Sequence, residues 1–169
     1  DMVGEGFDLA IRGGILPDSE LVARKIASAR GELFASDSYL AGAGPLESVA
    51  DLSAHDCVCI GGHVEGSVWK LFEGSRERSV SVRGRVNVSE LQLAVQAAAD
   101  GFGIVLAPPR VVEALVGPKG MTRVLPNVHA GVGAVWLVSP SRGKMTAAVR
   151  GLAEHLVQYL PQHMAAEVS

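Results

Sequence analysis

A chain of 169 residues with 48% apolar and 20% charged residues is long enough to bury a core, as one domain or as two small lobes. A net charge of −3 and 5% aromatic residues argue against a basic or base-stacking nucleic-acid grip by this segment. No run has the length of a membrane span, nothing at Asp1 resembles a signal peptide, and Cys57 and Cys59 alone make no disulfide framework, so the expected compartment is the cytoplasm.

Strand-like and helix-like segments alternate, as in α/β proteins. "DMVGEG" reads as the last turn of a helix, and "FDLAIR" as the first strand. "GGILPDSE" is a turn-rich loop. "LVARKIA" and "GELFAS" read as two strands. Ser36 caps a short helix, "DSYLAGAG", and "PLESVADLSAH" is loop with one helical turn. "CVCI" and "SVWKLFEG" are strand-like. In "SVSVRGRVNV", period-two alternation puts Val80, Val82, Val86 and Val88 on one face, and Ser81, Arg83, Arg85 and Asn87 on the other. In "SELQLAVQAAAD" Ser89 opens a capping box with Gln92, Gly101 ends the helix, and Leu91, Val95 and Ala98 form its apolar stripe. "GIVLAP" is a buried strand, and "PPRVVEALVG" is a helix between prolines and Gly117. After the strand "GAVWLVSP", a last helix from Thr146 to Leu160 puts Val149, Leu152, Leu156 and Leu160 on one face.

Four potential zinc ligands, His55, Cys57, Cys59 and His63, crowd into "HDCVCIGGH". Their spacing does not match the paired knuckles of structural zinc sites, so buried thiols and loop histidines are expected, with no metal. Arg76, Arg78, Arg83 and Arg85 are diluted by Glu73 and Glu77 and read as a solvated face. The chain holds no Gly-x-Ser-x-Gly elbow, no P-loop and no dinucleotide fingerprint, so neither catalysis nor a cofactor is expected. "VNVSELQ" is more informative. A strand runs straight into a helix there, so Asn87, Val88 and Ser89 lie where helical N–H groups suit a carboxylate or another anion, although simple capping is the alternative.

In order, "DMVGEGFDLAIRGGILPDSELVARKIASARGELFASDSYLAGAGPLESVADLSAHDCV", "VRGRVNVSELQLAVQAAADGFGIVLAP", "MTRVLPNV" and "AVWLVSPSRGKMTAAVRGLAEHLVQYL" resemble the effector-binding domain of LysR-type transcriptional regulators over nearly the whole chain. The resemblance implies a type 2 periplasmic-binding-protein-like fold, two α/β lobes joined by two crossover strands. The crossovers are expected near Leu33–Asp37 and Val135–Ser139. Residues 1–35 and 138–169 would form lobe I, and residues 36–137 lobe II. In the family, a winged helix-turn-helix, a strand, a long helix and a second strand precede "GFDLAIR". The chain is therefore expected to be a piece of a longer protein, with the N-terminal part of lobe I missing.

The resemblance also implies the function: a small effector, bound between the lobes, modulates DNA binding by the full-length protein. The expected effector-lining residues are Arg12, Gly13 and Gly14 in the loop after "DLAIR", Ser36 at the crossover, Asn87, Val88 and Ser89 at the helix start, and Phe102 in "GFG". Arg12 suits an anionic effector, and its alternative is a surface pair with Asp18 or Glu20. Side-by-side dimers are implied, dimers or tetramers in the full-length protein, with DNA contacted only through the missing helix-turn-helix. A secreted solute-binding protein of the same fold and a small metal-binding protein are the alternatives.

Overall fold

The computed structural model describes residues 7–13, 21–61, 67–118, 120–139 and 145–164, the side chains of 161–164 excepted. The expected helical turn in "DMVGEG" and most of "GGILPDSE" lie outside the described residues. The chain divides into two compact units: Asp1–Ala29 with Val132–Ser169, and Arg30–Gly131. It crosses from one unit to the other within two long strands, β2 (Val22–Ala35) and β7 (Thr122–Ser139).

The second unit is built on a sheet with strand order β2, β6 (Ile104–Ala107), β3 (Asp56–Ile60), β5 (Arg76–Val88) and β4 (Ser67–Glu73), and β4 also pairs with β7. Strands β5 and β6 both run parallel to β3. Parallel strands need a crossover connection. Helix α2 (Leu91–Ala99) supplies it and buries Ala94, Val95 and Ala98. Strands β4 and β5 form a hairpin from Ser67↔Val82 to Glu73↔Arg76, turned at Gly74 with φ 61°. Helix α1 (Asp37–Gly42) and a 3-10 turn (Val49–Ala54) link β2 to β3, and α3 (Pro109–Val116) follows β6. Proline at the start of α3 and Gly117 at its end act as expected.

Two cores flank this sheet. Leu33, Ala35, Cys57, Cys59, Leu52, Leu71 and Ile104 pack on one face, and Phe34, Val58, Val95 and Val105 on the other. Each large side chain so buried contributes about 1.5–3 kcal/mol of transfer free energy. Strand β5 corrects the sequence reading. Cys57 opposes Gly84 while Val58 opposes Val86, so Arg85 is an extra residue in a β-bulge. A one-residue shift exchanges faces. Val80 and Val82 therefore join the first core, and Val86 and Val88 pack on the second, instead of sharing a face.

Strand β2 is the second correction, since "LVARKIA" and "GELFAS" form one strand of 14 residues. Gly31 serves close packing and not a turn. A Cβ there would lie 3.3 Å from the Ala130 Cβ. Strand β7 likewise runs through Pro126, Gly131 and Gly133. Leu125 adopts φ 47°, an unfavourable region for a leucine, and its side chain is buried in the first core. Glu32, 3% exposed, ties the two long strands within this unit through Arg30 at 3.1 Å and Arg123 at 2.8 Å. A carboxylate this buried depends on its partners.

In the first unit, β1 (Ala10–Gly13) pairs antiparallel with β7, from Ala10↔Val138 to Gly13↔Val135. Helix α4 (Ala147–Met164) follows Thr146, whose hydroxyl accepts the Val149 N–H at 3.3 Å. Leu152 is 51% exposed and leaves the expected stripe. Ala153 takes its place beside half-buried Val149, Leu156 and Leu160. Both spacings suit one helix face, and the periodicity alone does not separate them.

Candidate functional site

Ser36 ends β2 and starts α1. Its backbone is extended (φ −75°, ψ 152°), and its hydroxyl accepts the Tyr39 N–H at 3.3 Å, which is the expected cap. The Ser36 and Ser38 hydroxyl oxygens lie 3.0 Å apart, and Ser36 is buried. One turn on, the Tyr39 hydroxyl lies 3.0 Å from His55 Nδ1 and accepts the Asp56 N–H at 3.0 Å. His55 Nε2 lies 3.2 Å from the Pro45 carbonyl. A carbonyl only accepts, so Nε2 carries the proton and Nδ1 accepts from Tyr39. The Tyr39 hydroxyl and both ring nitrogens of His55 are therefore engaged. Burial above all raises the Tyr39 phenol from its ordinary value, and the Asp56 N–H offsets part of that.

The hub gives three of the four candidate ligands in "HDCVCIGGH" other partners or surroundings. Both ring nitrogens of His55 are engaged, and Cys57 and Cys59 point into the first core. Burial, then the neighbouring Cys59 and Asp56, push the Cys57 thiol up to about 12, so it carries no thiolate at neutral pH. Among the described residues no three His, Cys, Asp or Glu gather to hold a metal, and His63 lies outside them.

The "GFG" loop packs against this hub. Gly101 (φ 88°) and Gly103 (φ 143°) occupy the glycine-favouring region. A Cβ on Gly103 would overlap the Asp56 carbonyl, and one on Gly101 would sit 3.2 Å from the Ser38 hydroxyl oxygen. The structure thus brings two expected residues, Ser36 and Phe102, into one neighbourhood. Phe102 is 44% exposed, and the Arg85 guanidinium carbon lies 5.7 Å from its ring centre. Arg85 also donates to Asp56 at 3.0 Å, with Arg83 at 3.7 Å from the same carboxylate. These arginines, with Arg78 at 3.9 Å from Glu73, form the compensated polar face expected of them.

Asn87 and Val88 end β5, opposite Cys59 and Ile60. Ser89 follows, exposed, and it does not cap α2. The Val88 carbonyl accepts the Gly61 N–H at 2.9 Å, so strand pairing holds the chain extended to this point. The helix begins two residues later, with Glu90 at the N-cap and no side-chain cap bond. Arg12 is corrected as well. It lies within β1, exposed and opposite Trp136, rather than on the following loop, and Gly13 is the last residue of that strand. Gly14 lies outside the described residues. Tyr39, His55, Asp56 and Gly103 organise this neighbourhood, and sequence reasoning gave none of them that part. The paired glycines around Phe102 were the available signal for Gly103.

Two α/β units linked by two long strands, with an exposed aromatic loop seated on a buried polar hub, define a class of two-lobed binding domains with the type 2 periplasmic-binding-protein-like fold. The sequence model described as "LysR substrate binding domain" matches residues 1–161. The chain belongs to this family, which is a regulator's binding domain and not an enzyme family. It is 32% identical to the HTH-type transcriptional regulator PtxR of Pseudomonas aeruginosa over 162 residues, covering 95% of this chain and 51% of that protein. It is 33% identical to the HTH-type transcriptional regulator DmlR of Escherichia coli over 165 residues, covering 96% and 53%. The chain thus spans about half the length of the curated relatives it matches. Among solved structures, full-length AphB, a Vibrio cholerae virulence activator of the LTTR family, superposes with a TM-score of 0.74 at 25% identity, over 92% of this chain and 53% of that one. The effector domain of AmpR from Pseudomonas aeruginosa shares the fold with a TM-score of 0.78 at 22% identity, over 100% of this chain and 80% of that one.

Proposed function

We propose that this chain is the ligand-sensing regulatory domain of a LysR-type transcriptional regulator. A small organic anion binds it and alters how the full-length protein engages DNA. The observation that carries this reading is the family match over residues 1–161, joined to relatives that are themselves helix-turn-helix regulators. The proposed effector residues are Arg12, Gly13 and Gly14 from the first unit, and Ser36, Asn87, Val88, Ser89 and Phe102 from the second. Arg12, exposed on β1, supplies a guanidinium suited to a carboxylate. Ser36 and Phe102 supply a hydroxyl and an aromatic face. Ser89 acts in this reading through its hydroxyl and N–H, not as a helix cap. In the full-length protein the domain self-associates, DNA contacts come from a helix-turn-helix outside this chain, and the site of action is the cytoplasm. Among the described residues no helix is long and apolar enough to cross a membrane.

Screening the domain against small organic acids by thermal shift, followed by calorimetry on the best binder, tests the proposal. A saturable carboxylate should raise stability by about 2.7 kcal/mol at a hundredfold excess over Kd. Arg12→Ala and Phe102→Ala should each weaken it by about tenfold or more with the melting temperature of the free domain unchanged. A cationic effector, or an effector indifferent to both substitutions, contradicts the assignment.

A further inference from the structure

Phe102 combines a fixed backbone with a half-exposed ring. Its N–H donates to the Ala97 carbonyl at 3.1 Å, and the next residue, Gly103, lies so close to the Asp56 carbonyl that a Cβ would overlap it. The ring is 44% exposed and belongs to neither core of the unit. Core packing therefore does not select its rotamer, and an exposed side chain exchanges rotamers in picoseconds to nanoseconds unless a neighbour holds it. Arg85 is such a neighbour. Its guanidinium carbon lies 5.7 Å from the ring centre, within reach of a cation–π contact.

The guanidinium is itself aimed. Asp56 and Arg83 are direct cross-strand partners, and in a regular strand Arg85 would stand about 6.5 Å further along. The bulge re-aims it, so two arginines reach one carboxylate: Arg85 Nη1 lies 3.0 Å from Asp56 Oδ2, and Arg83 Nε lies 3.7 Å from Oδ1. Asp56 thus acts on Phe102 twice, seating Gly103 against its carbonyl and holding a cation over the ring with its carboxylate. Arginine suits this place, because a planar guanidinium can bond a carboxylate at its edge while it lies over an aromatic face.

We propose that Arg85, held by Asp56, is the positioning residue that fixes the ring of Phe102 for the effector. This deepens the effector reading and rests on it for the part played by Phe102. Arg85 acts through the ring, so its loss frees the ring without unfolding the domain.

Fluorine NMR of the full-length protein, with para-fluorophenylalanine in place of Phe102 and no ligand added, tests this. The signal of the folded protein should be displaced from that of the urea-unfolded protein. Arg85→Gln should lose most of that displacement with the circular dichroism spectrum unchanged. Arg85→Lys keeps the charge and should retain part of it. Arg83→Ala removes a cation from the same carboxylate and should leave the signal in place. Asp56→Asn should move the signal in the same direction as Arg85→Gln. The double variant should move it no further than Arg85→Gln alone, because Asp56 acts through Arg85. The signal is read without ligand, so failure here is distinguishable from failure of the effector assignment. An unmoved signal in Arg85→Gln, equal losses in Arg85→Lys and Arg85→Gln, an Arg83→Ala shift as large as that of Arg85→Gln, or additive shifts for Asp56 and Arg85 would overturn the proposal.

Discussion

Tyr39 serves two neighbours, buried His55 and half-buried Asp56, through one oxygen, donating to His55 Nδ1 and accepting from the Asp56 N–H. Tyr39→Phe leaves both without a partner, which should cost about 1–3 kcal/mol in urea unfolding. A change near zero would show that water replaces the hydroxyl. The same neighbourhood sets an alkaline limit. An unfolded cysteine ionises from 9.0, whereas folded Cys57 resists to about 12, so its contribution is complete below pH 9.0 and declines as pH rises toward 12. Tyr39, raised from 10.0, adds a loss above pH 10. The urea midpoint should therefore fall above pH 9.0, and Cys57→Ala should flatten the first part of that fall. An unchanged slope in the variant would place the titrating group elsewhere. At acid pH the sign reverses. Asp51 is lowered from 3.8 by the N–H groups of Glu47 and Ser48 and the Ser48 hydroxyl, so its contribution is present above 3.8 and disappears as pH falls below it.

At the scale of elements, strands and helices were legible wherever one period ran unbroken. "CVCI", "GIVLAP", "PPRVVEALVG" and the Ser36 cap fall where the sequence places them, because β-branched runs, prolines and a capping hydroxyl act locally. The differences in the strands and at Ser89 share one cause, which is tertiary pairing. Gly31 carries a turn signal, yet it lies inside β2 because Ala130 packs on it. The valines of β5 alternate without interruption in sequence, and only the pairing with β3 reveals the bulge at Arg85. Ser89 has the spacing of a capping box, but the Gly61–Val88 hydrogen bond keeps the chain in the sheet. Ser89→Ala should therefore change stability by less than about 0.5 kcal/mol, where a true cap would cost about 1 kcal/mol. A full-size loss would restore the cap. Gly103→Ala should be costly in comparison. It forces a side chain onto φ 143° and into the Asp56 carbonyl, so a loss greater than about 1 kcal/mol is expected by thermal or urea unfolding.

For the whole molecule, the order of segments carried more information than any single motif. The α/β class follows from the alternation of strand-like and helix-like segments, and the family resemblance from long stretches that run in order from "DMVGEGFDLAIR" to "GLAEHLVQYL". The site was less legible, because its parts are contributed by separate segments. Ser36 and Phe102 are 66 positions apart in the chain, and they come into one neighbourhood because Gly101, next to Phe102, packs beside the Ser36 and Ser38 hydroxyls. Arg12 reads as a loop residue until its pairing opposite Trp136 is known. No local pattern encodes such convergence.

The most direct test of the regulatory assignment uses the full-length protein bound to its own promoter. An organic anion that stabilises this domain should change the footprint or the apparent DNA affinity in a saturable way. Phe102→Ala should lose that response while keeping ligand-free DNA binding at the parental level. A ligand that binds the domain saturably yet leaves DNA engagement unchanged, or one that the protein turns over, would contradict the account.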